Sequence, residues 1–265
     1  MVHKSLFSIF FAGFLFTACS EKAPEPPPAP PAETPPPVAA APVAEPEEAA
    51  GAPGSIKVTI QFEGAALEPK ALERKQDTFC AKTKAVDESL LVNKNNTLKN
   101  VVVRLTKGVK GPFEPATTPV VVDQKACMYR PRVQTARVGQ PVQIANGDST
   151  LHNVHTYVGE AQKTVFNQAM PPNSKPMDKT FTDGGEIVTF RCDVHPWMAG
   201  FVSVADHPFQ AVTGDDGSVT LTNVPSKKYT LESWHEKLGF QQTTVKVEPG
   251  QTAEVTLIYK AAQAG

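Results

Sequence analysis

Short apolar segments of alternating pattern recur from Ser55 onward, and they constrain the fold more than any other feature of the chain. Apolar and polar residues alternate with a period of two, which is typical of strands with one buried face. Gly, Asp, Asn and Pro, the usual turn residues, separate these segments. The sequence therefore predicts an all-β fold of sandwiches or barrels. The predicted strands are residues 56–62, 101–105, 120–122, 142–144, 187–190, 201–204, 219–221, 229–234, 245–247 and 255–259.

Helical composition is confined to residues 67–76, where Pro69 limits any helix to a short first turn. The formal net charge is −1, and the longest basic run is the pair Lys227 and Lys228. This balance argues against a nucleic-acid partner. Three arginines, Arg130, Arg132 and Arg137, are spread along one predicted strand and are interpreted as solvated.

Residues 1–18 have the pattern of an export signal, with Lys4 preceding an apolar run at 6–16 that is too short to span a bilayer. The sequence Leu-Phe-Thr-Ala-Cys that ends at Cys19 resembles the lipobox of bacterial lipoproteins. This resemblance implies a lipid anchor on Cys19 and, with Ser20 behind it, attachment to the periplasmic side of the outer membrane. An ordinary secretory signal followed by an incidental cysteine is the alternative.

Residues 19–54 carry the predicted lipidated cysteine and a linker rich in Pro, Ala and Glu. Twelve of the 25 prolines in the chain fall within residues 21–54. Such a composition cannot build a core, so we expect a disordered, extended tether. Fully extended, it would reach on the order of 100 Å.

The sharpest chemical feature is a loop that begins at Cys192, contains His195 and ends at Met198. Soft sulfur ligands combined with imidazole select copper, and two His with one Cys and a weak axial Met form the blue-copper arrangement. The second imidazole must come from elsewhere in the chain. His152, about forty residues upstream at a predicted strand end, supplies it, because a sandwich brings distant strands together.

Residues 120–205 resemble the cupredoxin family. The spacing Cys, two residues, His, Pro, aromatic, Met is the same, and so is an upstream His-Asn-Val-His run with an Asn six residues before it. The resemblance implies a Greek-key sandwich and one type 1 copper ion, with His152, Cys192 and His195 as equatorial ligands and Met198 as the axial ligand. It also implies an electron carrier rather than an enzyme, exchanging electrons with redox proteins of the periplasm.

The same resemblance assigns supporting roles to four other residues. Asn153 is expected to tie the two ligand loops together and to hydrogen-bond the thiolate through its backbone amide, and Asn146 is expected to support the ligands from just outside them. The edge of His195, flanked by Pro196 and Trp197, is expected to reach an apolar surface where partners dock.

The remaining histidines are expected to play other roles. His155 is three residues after His152, so the two side chains should lie on opposite faces of a strand. A structural or surface role is favoured for His155, with a modulating ligand as the alternative, and structural roles are favoured for His207 and His235. The methionines Met128, Met170 and Met177 are interpreted as packing or loop residues.

With Cys19 lipidated and Cys192 on copper, Cys80 and Cys127 remain. A disulfide is the simplest outcome in an oxidising periplasm, and two reduced thiols are the alternative.

Residues 206–265 are similar to carboxypeptidase regulatory-like, transthyretin-like sandwiches, through features such as Asp216-Gly217 and Asn223-Val224-Pro225. That family begins with strands like those at 56–63 and 101–105. The resemblance implies one such sandwich, formed by residues 55–118 and 206–265, with the cupredoxin domain at 119–205 inserted into it.

Two rival functions remain open from the sequence. A copper enzyme would need more paired His ligands, and copper storage or delivery would favour an open site that exchanges metal. The second rival is a metal-free module that binds a partner in the cell envelope.

Overall fold

The computed structural model describes residues 51–65 and 68–261, and these are built almost entirely of β-strands. Within them lie sixteen strands, one 3-10 helix at Cys80–Lys82 and no α-helix, so the all-β prediction is confirmed. The strands are β1 Gly54–Glu63, β2 Val102–Lys107, β3 Val120–Lys125, β4 Met128–Arg130, β5 Val133–Arg137, β6 Val142–Asn146, β7 His152–Val158, β8 Lys163–Met170, β9 Met177–Lys179, β10 Ile187–Arg191, β11 Ala199–Ala205, β12 Gln210–Val212, β13 Ser218–Val224, β14 Lys228–His235, β15 Gly239–Lys246 and β16 Thr252–Lys260.

The predicted export signal, the predicted lipidation site Cys19, Ser20 and the predicted tether up to residue 50 lie outside the described residues. In residues 51–65 and 68–261, no helix has the length and apolar character needed to cross a membrane. The predicted helical piece at 67–76 is wrong for its described part, since Ala71 forms an isolated bridge with Val86. This bridge joins the two ends of a loop formed by residues 71–86.

The first sandwich consists of a three-stranded sheet, β13-β1-β16, and a four-stranded sheet, β12-β2-β14-β15. β1 is the central strand of the three-stranded sheet, and its apolar and polar residues alternate. Ile56, Val58 and Ile60 therefore all point into the core, where they are fully buried. β1 pairs in parallel with β16 and antiparallel with β13. Strands from both ends of the chain therefore close this sandwich.

The second sandwich consists of a four-stranded sheet, β4-β3-β6-β9, and a five-stranded sheet, β5-β11-β10-β7-β8. All of its strands lie between Val120 and Ala205, so the chain leaves the first sandwich after β2 and returns to it at β12. Its core includes Tyr129, Ile144 and Phe190, together with Cys192 and Met198. The predicted metal loop is thus part of the hydrophobic core of this sandwich.

The two sandwiches contact each other through a small apolar cluster and two buried arginines, Arg104, whose ion pair lies within the first sandwich, and Arg132, whose ion pair joins the two sandwiches. Val102 of β2 packs in one cluster with Val133 and Phe201 of the second sandwich. The first ion pair joins Arg104 to Glu232 at 2.6 Å, and Arg104 also reaches Ser203 of β11.

The second ion pair joins Arg132, just before β5, to Glu236, just after β14, also at 2.6 Å. The prediction that Arg132 is solvated is wrong, because its residue is only 6% exposed and its charge is matched by Glu236. Without such a partner, a buried guanidinium would destabilise the fold by several kcal/mol.

His207 and His235 are buried and hydrogen-bonded. Nε2 of His207 lies 2.8 Å from the carbonyl oxygen of Leu105, and Nδ1 of His235 accepts a hydrogen bond from the amide of Lys237 at 3.2 Å. Burial and the positive charges of Arg132 and Lys237 lower the pKa of His235 to about 4.

This depressed pKa predicts an acid-sensitive fold. Between pH 6.5, the ordinary pKa of His, and about 4, an unfolded chain binds a proton at His235 that the folded protein does not. The free energy of unfolding should therefore fall by about 3 kcal/mol over this range as the pH drops. Urea unfolding of the metal-free protein between pH 7 and pH 4 measures it.

The His235→Gln variant should show a shallower pH dependence than the wild type. Burial also lowers the pKa of His152 and His207, and these two residues contribute equally to the pH dependence of both proteins. The difference between the two proteins therefore reports on His235 alone. Equal slopes in the two proteins would contradict the prediction.

Candidate metal centre

Three nitrogen and sulfur atoms converge inside the second sandwich. Nδ1 of His152 lies 2.9 Å from Nδ1 of His195. Sγ of Cys192 lies 4.0 Å from the first nitrogen and 3.7 Å from the second. His152, Cys192 and His195 are 0%, 2% and 1% exposed, so the cluster is closed to solvent. These three groups are close enough together to share one metal ion.

The antiparallel pairing of β7 and β10 brings the donors together. His152 is the first residue of β7, and Cys192 directly follows β10, whose last residue pairs with His155. Beyond Cys192 the chain turns back into β11, and the amide of Met198 closes this turn on the carbonyl of His195 at 2.9 Å. Met198 is fully buried in the same core.

Both imidazoles face a carboxylate on the side away from the cluster. Nε2 of His152 donates to Asp148 Oδ2 at 3.0 Å, and Nε2 of His195 donates to Asp77 Oδ2, also at 3.0 Å. A neutral imidazole that carries its proton on Nε2 has a free lone pair on Nδ1. Both lone pairs therefore point at each other and at the thiol sulfur.

The ionisation of these groups agrees with this arrangement. Burial raises the pKa of Asp77, but hydrogen bonds from the Cys80 amide, His195, Thr150 and the Phe79 amide outweigh it, so that its pKa lies well below the usual value. Burial lowers the pKa of His152, although Asp148 opposes the shift. A carboxylate that is charged and an imidazole that is neutral at Nδ1 are the forms that metal binding requires.

This donor set fits a copper ion. Two imidazole lone pairs and a sulfur that meet in a buried space repel one another unless a cation lies between them. Thiolate and imidazole ligands with a nearby thioether favour copper over the hard cations, which prefer oxygen. Met198, on the same loop, offers that thioether.

Asn153 joins the two ligand loops, as the resemblance implies. Its Oδ1 accepts a hydrogen bond from the amide of Asp193 at 2.6 Å and a longer one from Val194 at 3.4 Å. Its own backbone amide lies 3.5 Å from Sγ of Cys192. The side chain therefore fixes the backbone directly after the thiol.

Asn146 holds the loop that precedes His152. Its Nδ2 donates to the carbonyls of Met170 and Thr150 at 2.8 and 3.0 Å, and its Oδ1 accepts from the amide of Asp148 at 3.0 Å. Asn146 therefore places Asp148, which in turn contacts His152.

His155 lies outside the cluster of converging donors. Its Nδ1 lies 2.7 Å from the hydroxyl of Tyr157 and 3.1 Å from Asp193, and its Nε2 lies 3.0 Å from Thr164. All of these groups are polar residues of β7, β8 and the loop after Cys192.

The three methionines interpreted as packing residues lie in or near the cores. Met128 and Met170 are buried, and Met177 packs against the core of the second sandwich. Sδ of Met170 accepts a hydrogen bond from Nε2 of Gln124 at 3.3 Å.

The expectation that the edge of His195 reaches the surface is wrong. Residues 70–88, here called the strap, run from the first sandwich over the metal loop, and its Asp77 covers Nε2 of His195. Pro196 is exposed, whereas Trp197 is partly buried and donates from Nε1 to the carbonyl of Cys127 at 3.0 Å. Docking at Pro196 and Trp197 stays a prediction.

Cys80 of the strap forms a disulfide with Cys127, as expected, and Cys192 is the free cysteine among the described residues. Asp77 and Asp148 are the residues that sequence reasoning missed. Asp148 is four residues before His152 and could have been suspected from that spacing. Nothing in the sequence connects Asp77 with a histidine 118 residues away.

No protein-family model matches this chain, and no curated protein matches it. Among solved structures, a reduced amicyanin variant is 28% identical, with 38% of this chain and 98% of that chain covered and a TM-score of 0.30. An oxidised amicyanin variant is also 28% identical, covering 32% and 81%, with a TM-score of 0.29. A purple cupredoxin from Nitrosopumilus maritimus is 24% identical, covering 33% and 98%, with a TM-score of 0.28.

Truncation of Asn153 should loosen the thiol loop. In Asn153→Ala, the amides of Asp193 and Val194 lose their acceptor, and the free energy of unfolding should fall by about 1 to 3 kcal/mol. Denaturant unfolding measures the change. Asn167→Ala is the matched control, because Asn167 contacts the side chain of Asp193 but neither amide, and it should cost less than about 0.5 kcal/mol. Equal losses in the two variants would contradict the assigned role of Asn153.

Proposed function

We propose that this protein carries single electrons through one type 1 copper ion. His152, Cys192 and His195 would hold the ion as equatorial ligands, with Met198 as the axial ligand. The observation that carries the proposal is the convergence of two imidazole nitrogens and one cysteine sulfur, at 2.9 to 4.0 Å from one another, in a buried space.

Copper, when bound, would supply a one-electron couple between Cu(II) and Cu(I). The protein holds the donors in place for both oxidation states. The hydrogen bonds of Asn153, Asp148 and Asp77 fix the thiol loop and both rings, so a change of charge requires little movement. The apolar core around Cys192 limits access of solvent, which also tunes the reduction potential.

Burial of the ligands supports electron transfer over catalysis or metal exchange. Each of the four proposed ligands is at most 2% exposed, so a substrate or a metal-accepting protein has no direct approach to the centre. An electron can cross the covering residues without such an approach. We therefore propose that the protein is a carrier and not an enzyme.

We propose further that export and lipidation at Cys19 tether the carrier to the periplasmic side of the outer membrane. The apolar run at 6–16 and the lipobox-like sequence that ends at Cys19 support this placement. Redox proteins of the same compartment would be its partners, and Pro196 and Trp197 stay the predicted docking residues. The proline-rich residues 21–50 would let the folded part reach them.

The direct test is to add Cu(II) to the chain without residues 1–19 and to record visible and EPR spectra. We expect an intense thiolate-to-copper absorption band and the narrow copper hyperfine splitting of a type 1 centre. Cys192→Ser should abolish both, because it removes the thiolate and leaves the Cys80–Cys127 disulfide intact. A colourless protein with the EPR spectrum of ordinary tetragonal copper would contradict the proposal.

Replacement of Cys19 by Ala should release the protein from the membrane, because acyl chains on that cysteine would provide the anchor. Cell fractionation measures the shift from the membrane to the soluble periplasmic fraction, and intact mass shows the loss of the lipid. Mutation of Ser20 to Ala leaves the cysteine in place and is the control. A Cys19→Ala protein that stays in the membrane fraction would overturn the anchor.

A further inference from the structure

Each proposed histidine ligand has its own carboxylate, and the two carboxylates come from different parts of the chain. Asp148 belongs to the loop between β6 and β7 of the second sandwich. Asp77 belongs to the strap, which connects β1 and β2 of the first sandwich. The surroundings of the metal centre are therefore completed by a segment from outside the sandwich that carries the ligands.

Backbone amides hold both carboxylates in place. Asp77 Oδ1 accepts from the amides of Phe79 and Cys80 at 2.7 and 3.0 Å. Asp77 Oδ2, which faces His195, also accepts from the hydroxyl of Thr150 at 2.9 Å. The side chain is therefore fixed at both oxygens, and only His195 uses it as an acceptor for an imidazole.

Asp148 is held in the same way by the turn between β3 and β4. Its Oδ1 accepts from the amide of Ala126 at 2.8 Å, and its Oδ2 accepts from the amide of Cys127 at 2.7 Å. Ala126 and Cys127 have φ angles of 54° and 56°, a left-handed conformation that non-glycine residues seldom adopt. Such strain persists where surrounding contacts impose it, and it clusters at functional sites.

The Cys80–Cys127 disulfide joins the strap, which carries Asp77, to the β3–β4 turn, which binds Asp148. Cys80 supplies one of the amides that bind Asp77, and Cys127 supplies one of the amides that bind Asp148. Sγ of Cys80 also lies 3.6 Å from Nε2 of His195. Arg74 of the strap adds a second tie, since Nη1 donates to the carbonyl of Ala126 at 2.7 Å.

We infer that Asp77 and Asp148 are positioning residues of the metal centre, which hold both imidazoles with Nδ1 toward the metal, and that the Cys80–Cys127 disulfide locks them together. This inference rests on the proposed function. It also gives the first sandwich a role, because that sandwich supplies the strap and with it one of the two carboxylates.

The expected chemical effect follows from the charge of the carboxylates. A carboxylate that accepts the Nε2 proton of a histidine makes Nδ1 a stronger donor, and the loss of such a partner typically costs 10- to 100-fold in metal affinity. A stronger donor favours Cu(II) over Cu(I). Removal of either carboxylate should therefore raise the reduction potential and speed the loss of copper.

The test compares the wild type with Asp77→Ala and Asp148→Ala, each loaded with copper. We expect copper transfer to an excess of chelator to become about 10- to 100-fold faster and the reduction potential to rise in both variants. In the reduced, diamagnetic protein, ¹⁵N NMR should show a slowly exchanging Nε2 proton on both ligands of the wild type. Asp77→Ala should lose this signal for His195 alone, and Asp148→Ala for His152 alone.

Four further variants separate positioning from folding and from general charge effects. Asp77→Asn and Asp148→Asn keep an acceptor oxygen and should restore part of the slow proton exchange. They replace the alanine variants in the test if an alanine variant fails to fold. Asp178→Asn removes a carboxylate on β9 that is hydrogen-bonded to Gln143, so its copper centre should match that of the wild type. The double variant Cys80→Ala with Cys127→Ala should release copper faster than the wild type although all four proposed ligands remain.

The outcomes distinguish this inference from the proposed function. A wild type with the type 1 spectrum whose release rate, potential and Nε2 exchange are unchanged in the Asp77 and Asp148 variants overturns the inference alone. A wild type that binds copper without the type 1 spectrum overturns the proposed function, and its release rates still decide the inference. A wild type that binds no copper overturns both.

Discussion

The pair of hydrogen bonds from imidazole Nε2 to carboxylate is the interaction on which the candidate centre depends. Each bond fixes one ring and one tautomer, so that both Nδ1 lone pairs meet beside the sulfur of Cys192. Without these bonds, either ring could carry its proton on Nδ1 and face the cluster as a donor. The carboxylates therefore leave both Nδ1 lone pairs free for the proposed metal ion.

If the carboxylates position the histidines as we infer, both sandwiches contribute to the candidate centre. The metal loop and His152 belong to the second sandwich, but the strap that carries Asp77 starts and ends in the first. The buried ion pair between Arg132 and Glu236 accompanies the apolar contact between the sandwiches. Removal of one partner from such a pair costs about 3 to 5 kcal/mol, so this pair helps to hold the first sandwich, which carries the strap, against the second one.

Much of the fold could be predicted because alternation with a period of two is visible in the sequence. The ten predicted strands coincide with or overlap observed strands, and Ile56, Val58 and Ile60 show the pattern most clearly. Strand β8 was missed because polar residues interrupt the alternation from Lys163 to Met170, and β7 was anticipated only through the positions of His152 and His155. The strands β4, β9 and β12 are only three residues long and are too short to give a signal.

The ligand spacing around Cys192 and His195 is local and could therefore be predicted. The burial of His195 beneath Asp77 could not be predicted, because these two residues are 118 positions apart in the sequence. The turn at Ala126 and Cys127 could not be predicted either, since Gly, Asn or Asp usually occupies positions with this left-handed backbone conformation. Tertiary contacts to Asp148 and the disulfide impose that conformation in place of local preference.

A crystal structure of the copper-loaded protein, with anomalous diffraction recorded at the copper absorption edge, tests the central claim most directly. We predict one copper peak enclosed by Nδ1 of His152, Nδ1 of His195 and Sγ of Cys192, with Asp77 and Asp148 still bound to the two Nε2 atoms. A copper ion bound elsewhere, for example at the exposed network of His155 and Asp193, would contradict it.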